Sequence, residues 1–290
     1  MAINRRHHRL GIAFILSGAI LCSESVLAQS AVDTSAFDNV VETVVAAANS
    51  GAAAPVVSHK QSLSLEQAYH TQTLAVKQRL AGAVPQGFKA GLTSVPSRKK
   101  FNVDQPVAGV LLSGGSEVKA AAGNVDGSGY NNMMLEIEIG FSVNSVIDQP
   151  LNDIASLKKK IAKVYPVIEL PDLYFDLPKQ LTGVDIIINN VVAKQFLYGA
   201  GHDPFQFDLN QLSAELQHDG VTILTGRGVD AMGDQWQALL WLVNRTVNNG
   251  WQIQPGQLLI TGALGKMIPA KPGVYQADYD ELGKLAFTID

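Results

Sequence analysis

One stretch of alternating apolar and acidic residues, Met133–Phe141, constrains the fold more than any other part of the chain. Its two-residue period predicts a β-strand, because successive strand side chains point to opposite faces. Glu136 and Glu138 then share one face, roughly 6.5–7 Å apart along the strand. The stretch therefore predicts a sheet surface that carries two carboxylates.

A third carboxylate, Glu169, is the only charged residue in the apolar, β-branched run 164–170, which is typical of a buried strand. An isolated buried carboxylate is costly to ionise. If Glu169 converges with Glu136 and Glu138, the three oxygen donors suit a hard divalent cation such as Mg²⁺ or Mn²⁺. The alternative is that Glu136 and Glu138 form the solvated face of an antiparallel strand and that Glu169 lies at a strand end.

The first 28 residues have the three parts of a secretory signal. Arg5, Arg6 and Arg9 form a basic start, residues 11–22 are apolar, and a cleavage site ends at Ala28. The apolar part is too short for a stable transmembrane helix. We therefore expect an exported protein, periplasmic or secreted, that has no membrane association after cleavage.

Charge and cysteine content exclude several classes of function. Loss of three arginines and one glutamate with residues 1–28 leaves a formal net charge of −6, which favours neither nucleic acid nor an anionic membrane as a partner. The single cysteine, Cys22, lies in the signal. The mature chain is therefore expected to have no disulfide, no zinc–thiolate site and no cysteine nucleophile.

The remaining patterns predict an α+β protein around a rolled or sandwiched β-sheet. An N-terminal helical segment is expected over 29–84, with one helix before Gly51 and a second beginning at a capping box on Ser64. The segment 50–60 is typical of a linker. Residues 85–290 are expected to form the main domain, with a helical face over 154–164, a loop over 113–132 and a helix capped by Asp234.

Lys89 lies between glycines in the otherwise uncharged segment 87–94. One interpretation is a solvated lysine at a strand edge, and another is an ordinary pair with a carboxylate such as Asp104. The functional alternative is a lysine whose glycine neighbours allow a ligand to approach closely. The residues alone do not decide between these interpretations.

Four segments in one order resemble a known family. They are Gly-Phe-Lys-Ala-Gly-Leu-Thr-Ser at 87–94, Val-Asp-Gln-Pro at 103–106, Leu-Glu-Ile-Glu-Ile-Gly-Phe at 135–141 and Pro-Val-Ile-Glu-Leu-Pro-Asp at 166–172. Three segments of the C-terminal part, 259–263, 269–273 and 281–283, agree as well. Over roughly residues 62–290 the chain is similar to the 2-keto-4-pentenoate hydratase group of the fumarylacetoacetate hydrolase superfamily. A close relative of that group is 4-oxalocrotonate decarboxylase.

The resemblance implies a mixed β-roll with the site of a metal-dependent lyase. By position, Glu136, Glu138 and Glu169 match the three carboxylates that hold Mg²⁺ or Mn²⁺, while Lys89 and Asp104 match the lysine and aspartate of the catalytic pocket. The implied substrate is a 2-hydroxy-2,4-dienoate or 2-oxo acid, and the implied reaction is ketonisation followed by hydration of the conjugated double bond. A homo-oligomer is also expected.

The chain departs from the family pattern at the expected pocket wall. A run of the Asp-Asn-Ala-Ser-Ser type is replaced at 189–193 by Asn-Asn-Val-Val-Ala, so that Val191 and Val192 stand in place of small hydroxyl residues. Leu173 and Tyr174 replace a serine and an arginine that could pair with a substrate carboxylate. These changes leave three alternatives: a hydratase with an unusual substrate, a related 2-oxo-acid decarboxylase, or an exported, catalytically degenerate 2-oxo-acid binding protein.

Overall fold

A computed structural model of the protein describes residues 34–112, 115–117 and 123–290. The predicted signal, 1–28, lies outside the described residues. Residues 35–290 form one compact unit. None of the helices in these ranges is both long enough and apolar enough to cross a bilayer.

The described chain contains helices and strands in the following order. The helices are α1 Thr34–Ser50, α2 Leu65–Leu80, α3 Val95–Lys100, α4 Ile154–Lys158, α5 Gly183–Ile188 and α6 Gln235–Asn248. The strands are β1 Gly87–Gly91, β2 Val107–Leu111, β3 Gly115–Glu117, β4 Gly123–Val125, β5 Met134–Val143, β6 Ile161–Leu170, β7 Gln195–Tyr198, β8 Ser213–His218, β9 Val221–Arg227, β10 Leu258–Ala263, β11 Ile268–Pro269, β12 Gly273–Asp278 and β13 Lys284–Ile289.

The larger sheet is organised around the hairpin of β5 and β6, two antiparallel strands of ten residues each. Its order is β2-β1-β10-β5-β6-β7-β3, and the short β11 pairs with β5. The alternation in β5 buries Leu135, Ile137 and Ile139 completely on its apolar face. Because β1 pairs in parallel with β10 while β5 and β6 are antiparallel, the sheet is mixed, as the family resemblance implies.

A second, five-stranded sheet has the order β4-β13-β12-β8-β9. Buried aromatic residues of this sheet, Tyr275 and Phe287, and Tyr279 just after β12 join the same hydrophobic core as the apolar face of β5. Tyr279 also donates a hydrogen bond from its hydroxyl to the Val167 carbonyl on β6. The two sheets and six helices in the described ranges confirm the predicted α+β class.

The N-terminal helices pack onto this core. Ser64 and Gln67 form the predicted capping box at the start of α2. The fully buried side chain of Gln72 donates to the carbonyls of Ala108 on β2 and Ile187 on α5, at 2.8 and 2.9 Å. The expected linker 50–60 is also held in place. The backbone N–H groups of Val57 and Ser58 in this segment both donate hydrogen bonds to the Asp185 carboxylate.

Two local predictions are wrong, and three elements were not predicted. The helix expected over 154–164 ends at Lys158, and the chain then enters β6 at Ile161 because pairing with β5 favours the extended form. The expected loop 113–132 contains β3 and β4. Helices α3 and α5 and the strand β9 were not predicted, since each is short or lacks a clear apolar period.

Candidate metal and catalytic site

The hairpin of β5 and β6 brings the three predicted carboxylates together. Glu136 lies directly opposite Glu169 in the strand register, and Glu138 follows two residues later on the same face. One carboxylate oxygen from each residue lies within 4.8 Å of the other two. Glu138 and Glu169 are almost fully buried, whereas Glu136 is partly exposed. The interpretation of Glu136 and Glu138 as a merely solvated face is therefore wrong.

A bulge in the neighbouring strand orients Glu138. The register between β10 and β5 shifts between Ile260 and Ala263, and Gly262 in the bulge has a φ of +108°. Its freed N–H donates to Glu138 Oε2 at 2.7 Å. A Cβ at this position would lie 2.5 Å from the Thr93 side chain, so the conformation and the space both require glycine.

Lys89 supplies the positive charge in the site. It lies on β1, between β2 and β10, and only 2% of the residue is exposed. Its Nζ forms an ion pair with Glu169 and donates a second hydrogen bond to the Val191 carbonyl at 3.1 Å. The alternatives of a solvated edge lysine and of a pair with Asp104 are therefore wrong.

Burial and mutual repulsion determine the protonation of this cluster. Burial, followed by the charge of Glu169, raises the pKa of Glu136 to about 8, although Lys89 opposes the shift. The same two causes raise the pKa of Glu138 well above its usual value. Burial would lower the pKa of Lys89, but attraction to Glu169, Glu136 and Glu138 outweighs it and raises that pKa. One lysine thus leaves the three carboxylates without full compensation.

The donor set fits a divalent cation. Glu138 Oε1 and Glu169 Oε2 are buried and have no hydrogen-bond partner within the described part of the chain. Buried carboxylate oxygens without a partner are costly unless a proton or a metal compensates them. Three carboxylates that converge within 4.8 Å match the oxygen ligands that Mg²⁺, Mn²⁺ and Ca²⁺ prefer.

A left-handed turn, Asn190–Val192, forms the wall opposite the carboxylates. Its three residues have φ values of 54°, 51° and 50°. Positive φ values are unusual for β-branched residues such as Val191 and Val192. Asn190 fixes the turn to β2 by accepting from the Val110 N–H at 2.8 Å and donating to the Val110 carbonyl at 2.7 Å. Val191 packs so closely that a Cβ at Gly91 would lie 2.7 Å from its side chain. The turn thereby presents the Val191 carbonyl to Lys89.

Sequence reasoning missed two contacts with backbone groups, one made by Glu138 and one made by Lys89. The Gly262 N–H and the Val191 carbonyl enter the site through a bulge and a left-handed turn, and neither feature has a periodic signature. The run of Val191 and Val192 was recognised only as a departure from the family pattern. The contact that this turn makes with the site is through the backbone carbonyl of Val191.

Asp104 lies apart from the contacts described above. It is exposed, in the turn before β2, and forms no hydrogen bond or ion pair with residues in the described ranges. Asp172, three residues after Glu169, instead accepts from Lys194 at 2.7 Å and from the Asn132 N–H at 2.7 Å. The catalytic role of Asp104 stays a prediction.

No protein-family model matches the chain. Similar curated proteins include the TodF product hydratase of Pseudomonas putida F1, 28% identical over 83% of this chain and 90% of the relative. The 2-keto-4-pentenoate hydratase of Paraburkholderia xenovorans is 26% identical over 80% and 86%. A 4-oxalocrotonate decarboxylase of a Pseudomonas species is 25% identical over 83% and 93%.

Solved structures give the same grouping. The 4-oxalocrotonate decarboxylase from Pseudomonas putida G7, complexed with magnesium and adipate, has a TM-score of 0.81 at 21% identity and covers 89% of this chain and 99% of its own. Fumarylpyruvate hydrolase from Pseudomonas aeruginosa, in complex with Mn²⁺ and pyruvate, has a TM-score of 0.54 at 14% identity, over 70% and 88%. The resemblance found in the sequence is thus confirmed: the chain is related to 2-keto-4-pentenoate hydratases and 4-oxalocrotonate decarboxylases, and its fold is that of the fumarylacetoacetate hydrolase superfamily.

Proposed function

We propose that the protein is a divalent-metal-dependent hydro-lyase that acts on a 2-hydroxy-2,4-dienoate or a related 2-oxo acid. One observation carries this proposal: Glu136, Glu138 and Glu169 converge on one point, and two of their buried oxygens lack a partner. Sequence relatives named as hydratases of this kind support the reaction class.

The three glutamates would hold Mg²⁺ or Mn²⁺. A bound cation supplies positive charge that can chelate the carboxylate and the 2-oxygen of a 2-oxo acid. Glu136 lies at the open side of the cluster, because it is the partly exposed member, while Glu138 and Glu169 form the buried base. The Gly262 N–H holds the Glu138 carboxylate in its orientation before any ligand arrives.

Lys89 would act as the proton donor and the local positive charge. Its raised pKa keeps the ammonium group protonated at neutral pH, so that it can stabilise developing negative charge or deliver a proton to the substrate. The Val191 carbonyl, 3.1 Å away, fixes one of its three N–H bonds and so limits its orientations. Asp104 is proposed as a second catalytic residue on the family resemblance alone.

A direct assay tests the proposal. The purified protein is incubated with 2-hydroxypenta-2,4-dienoate and Mg²⁺ or Mn²⁺, and loss of the dienoate absorbance is followed. We expect turnover that stops when EDTA removes the metal and returns when the metal is restored. Binding of the dienoate without turnover in the presence of either metal would contradict the enzyme and favour the binding-protein alternative.

Decarboxylation is the second candidate reaction. It is favoured by the likeness of the fold to 4-oxalocrotonate decarboxylase along nearly the whole of that protein. The two reactions differ in their products, because hydration adds water to the substrate whereas decarboxylation releases carbon dioxide. Parallel incubations with a dienoate and with a 2-oxo dicarboxylate, analysed by mass spectrometry, distinguish them.

We also propose that the protein is exported and cleaved after Ala28. The support is the basic, apolar and small-residue pattern of residues 1–28. Intact-mass analysis of the protein from a bacterial periplasmic fraction is expected to give a chain that begins at Gln29. A full-length chain confined to the cytoplasm would contradict the proposal.

A further inference from the structure

A further cavity, of about 260 Å³, lies beside the turn Asn190–Val192 and shares Asn190 and Val192 with the wall of the carboxylate site. It is enclosed by the C-terminal half of α1, by α2 and by the segment 188–194. Small apolar side chains such as Ala47, Ala48 and Ala75 create its space. Neither the three glutamates nor Lys89 are among the residues that line it.

The charge around this cavity is unbalanced. Lys194 and Asp172 both line it, but they compensate each other in an ion pair of 2.7 Å. Arg79, near the end of α2, also lines it and forms no hydrogen bond or ion pair within the described ranges. Arg79 is exposed at the edge of the cavity, and burial of part of its side chain lowers the pKa of the guanidinium. Among the described residues that line it, the cavity therefore combines a largely apolar wall with one cation that has no ionic partner.

We propose that this cavity is a second ligand site, which binds a small organic monocarboxylate with an apolar body. The carboxylate pairs with the Arg79 guanidinium, and the body lies against the alanine-lined faces of α1 and α2. The volume has room for a body on the order of six to ten carbon atoms. Inorganic phosphate fits less well, because a doubly charged anion loses more hydration than a monocarboxylate and gains nothing from the alanine-lined part of the wall.

Calorimetric titration of the mature chain with octanoate and benzoate tests this site. EDTA is present throughout, so that no carboxylate binds through a metal and the result is independent of the proposed lyase activity. We expect one site per chain with a Kd below about 1 mM at low ionic strength. Octanamide and benzamide keep the apolar body without the charge, and they are expected to bind at least about tenfold more weakly.

Two variants assign the binding to this cavity. Arg79→Gln is expected to weaken octanoate binding at least about tenfold. Lys77→Gln is the matched control, because Lys77 is on the same helix but its Nζ lies over the Trp251 ring and outside the cavity. Ala48→Trp, at an exposed position of α1, fills the cavity and is expected to abolish binding.

Three results would overturn the proposal. The first is absence of saturable binding up to about 10 mM carboxylate. The second is equal affinity of the wild type and Arg79→Gln. The third is equal affinity for carboxylates and amides, which would show that the cation plays no part.

Discussion

Glu138 allows metal binding to be tested separately from folding. Burial raises the pKa of Glu138 well above its usual value, which disfavours the charged form in the metal-free protein, and Glu138→Gln removes that charge at nearly constant shape. A ligand at one hundred times its Kd stabilises the fold by about 2.7 kcal/mol. We expect Mn²⁺ to raise the melting temperature of the wild type and not that of Glu138→Gln.

The matched control is Glu42→Gln, which removes one exposed carboxylate from α1. It should respond to Mn²⁺ like the wild type. An unchanged response of Glu138→Gln, measured by the same melting curves, would show that the cation binds elsewhere.

Lys89→Met separates the electrostatic role of the lysine from its proposed catalytic role. Without metal, the variant leaves Glu169 without its ionic partner, and breaking a buried pair costs about 3–5 kcal/mol. We expect lower stability by urea denaturation in EDTA, with much of the loss recovered in Mn²⁺. Turnover should fall at least about a hundredfold while metal binding persists. Lys77→Met is the control, and unchanged turnover would assign proton transfer to another group.

At the scale of elements, the contact between the segment 55–58 and α5 depends on one carboxylate. Asp185 accepts from Ser58 Oγ at 2.6 Å and from Thr182 Oγ1 at 2.8 Å, besides backbone N–H groups on both sides. Burial raises its pKa, but these hydrogen bonds outweigh the burial and lower it below the usual value. The contact thus ties α5 of the main domain to the N-terminal segment.

The lowered pKa of Asp185 gives a pH dependence with a definite sign. Its contribution to stability is complete above the unfolded-state pKa of about 3.9 and is lost as the pH falls through the lower folded-state value. We expect Asp185→Asn to lose about 1–3 kcal/mol at pH 7 and less near pH 3, because the wild type loses the same interaction there. Urea denaturation at both pH values measures this. Asp148→Asn, at an exposed carboxylate, is the control, and an equal loss at both pH values would contradict the assignment.

Strands were predictable where their pattern was local. The alternation at 134–143 specifies β5 and the face on which its glutamates lie. The spacing of Ile154, Leu157 and Ile161 imitates a helix, but ten residues of pairing with β5 decide the conformation of β6. The acidic residues of the candidate metal site could be found because the charge is carried by their side chains. The Gly262 N–H and the Val191 carbonyl could not, because they depend on how distant strands meet.

For the whole molecule, the predicted boundary at residue 84 raises the question whether the main domain can fold without the helices that precede it. Gln72 satisfies two carbonyls, on β2 and α5, and the Tyr69 hydroxyl accepts from the Ala108 N–H at 3.0 Å. Their removal would leave buried backbone groups unpaired, at about 1–3 kcal/mol each, and would uncover the apolar surface against which Ala68, Tyr69 and Val76 pack.

We therefore expect the fragment 85–290 to lack a cooperative thermal transition, whereas the mature chain from residue 29 should show one. A domain of this size has a total stability of only about 5–15 kcal/mol, so that three unpaired groups and the lost apolar burial together exceed what the fragment can tolerate. Near-UV circular dichroism during heating measures the fixed packing of its aromatic residues. A cooperative melt of the fragment, with Mn²⁺ still raising its midpoint, would show that the carboxylate site and its sheet fold independently of α1 and α2.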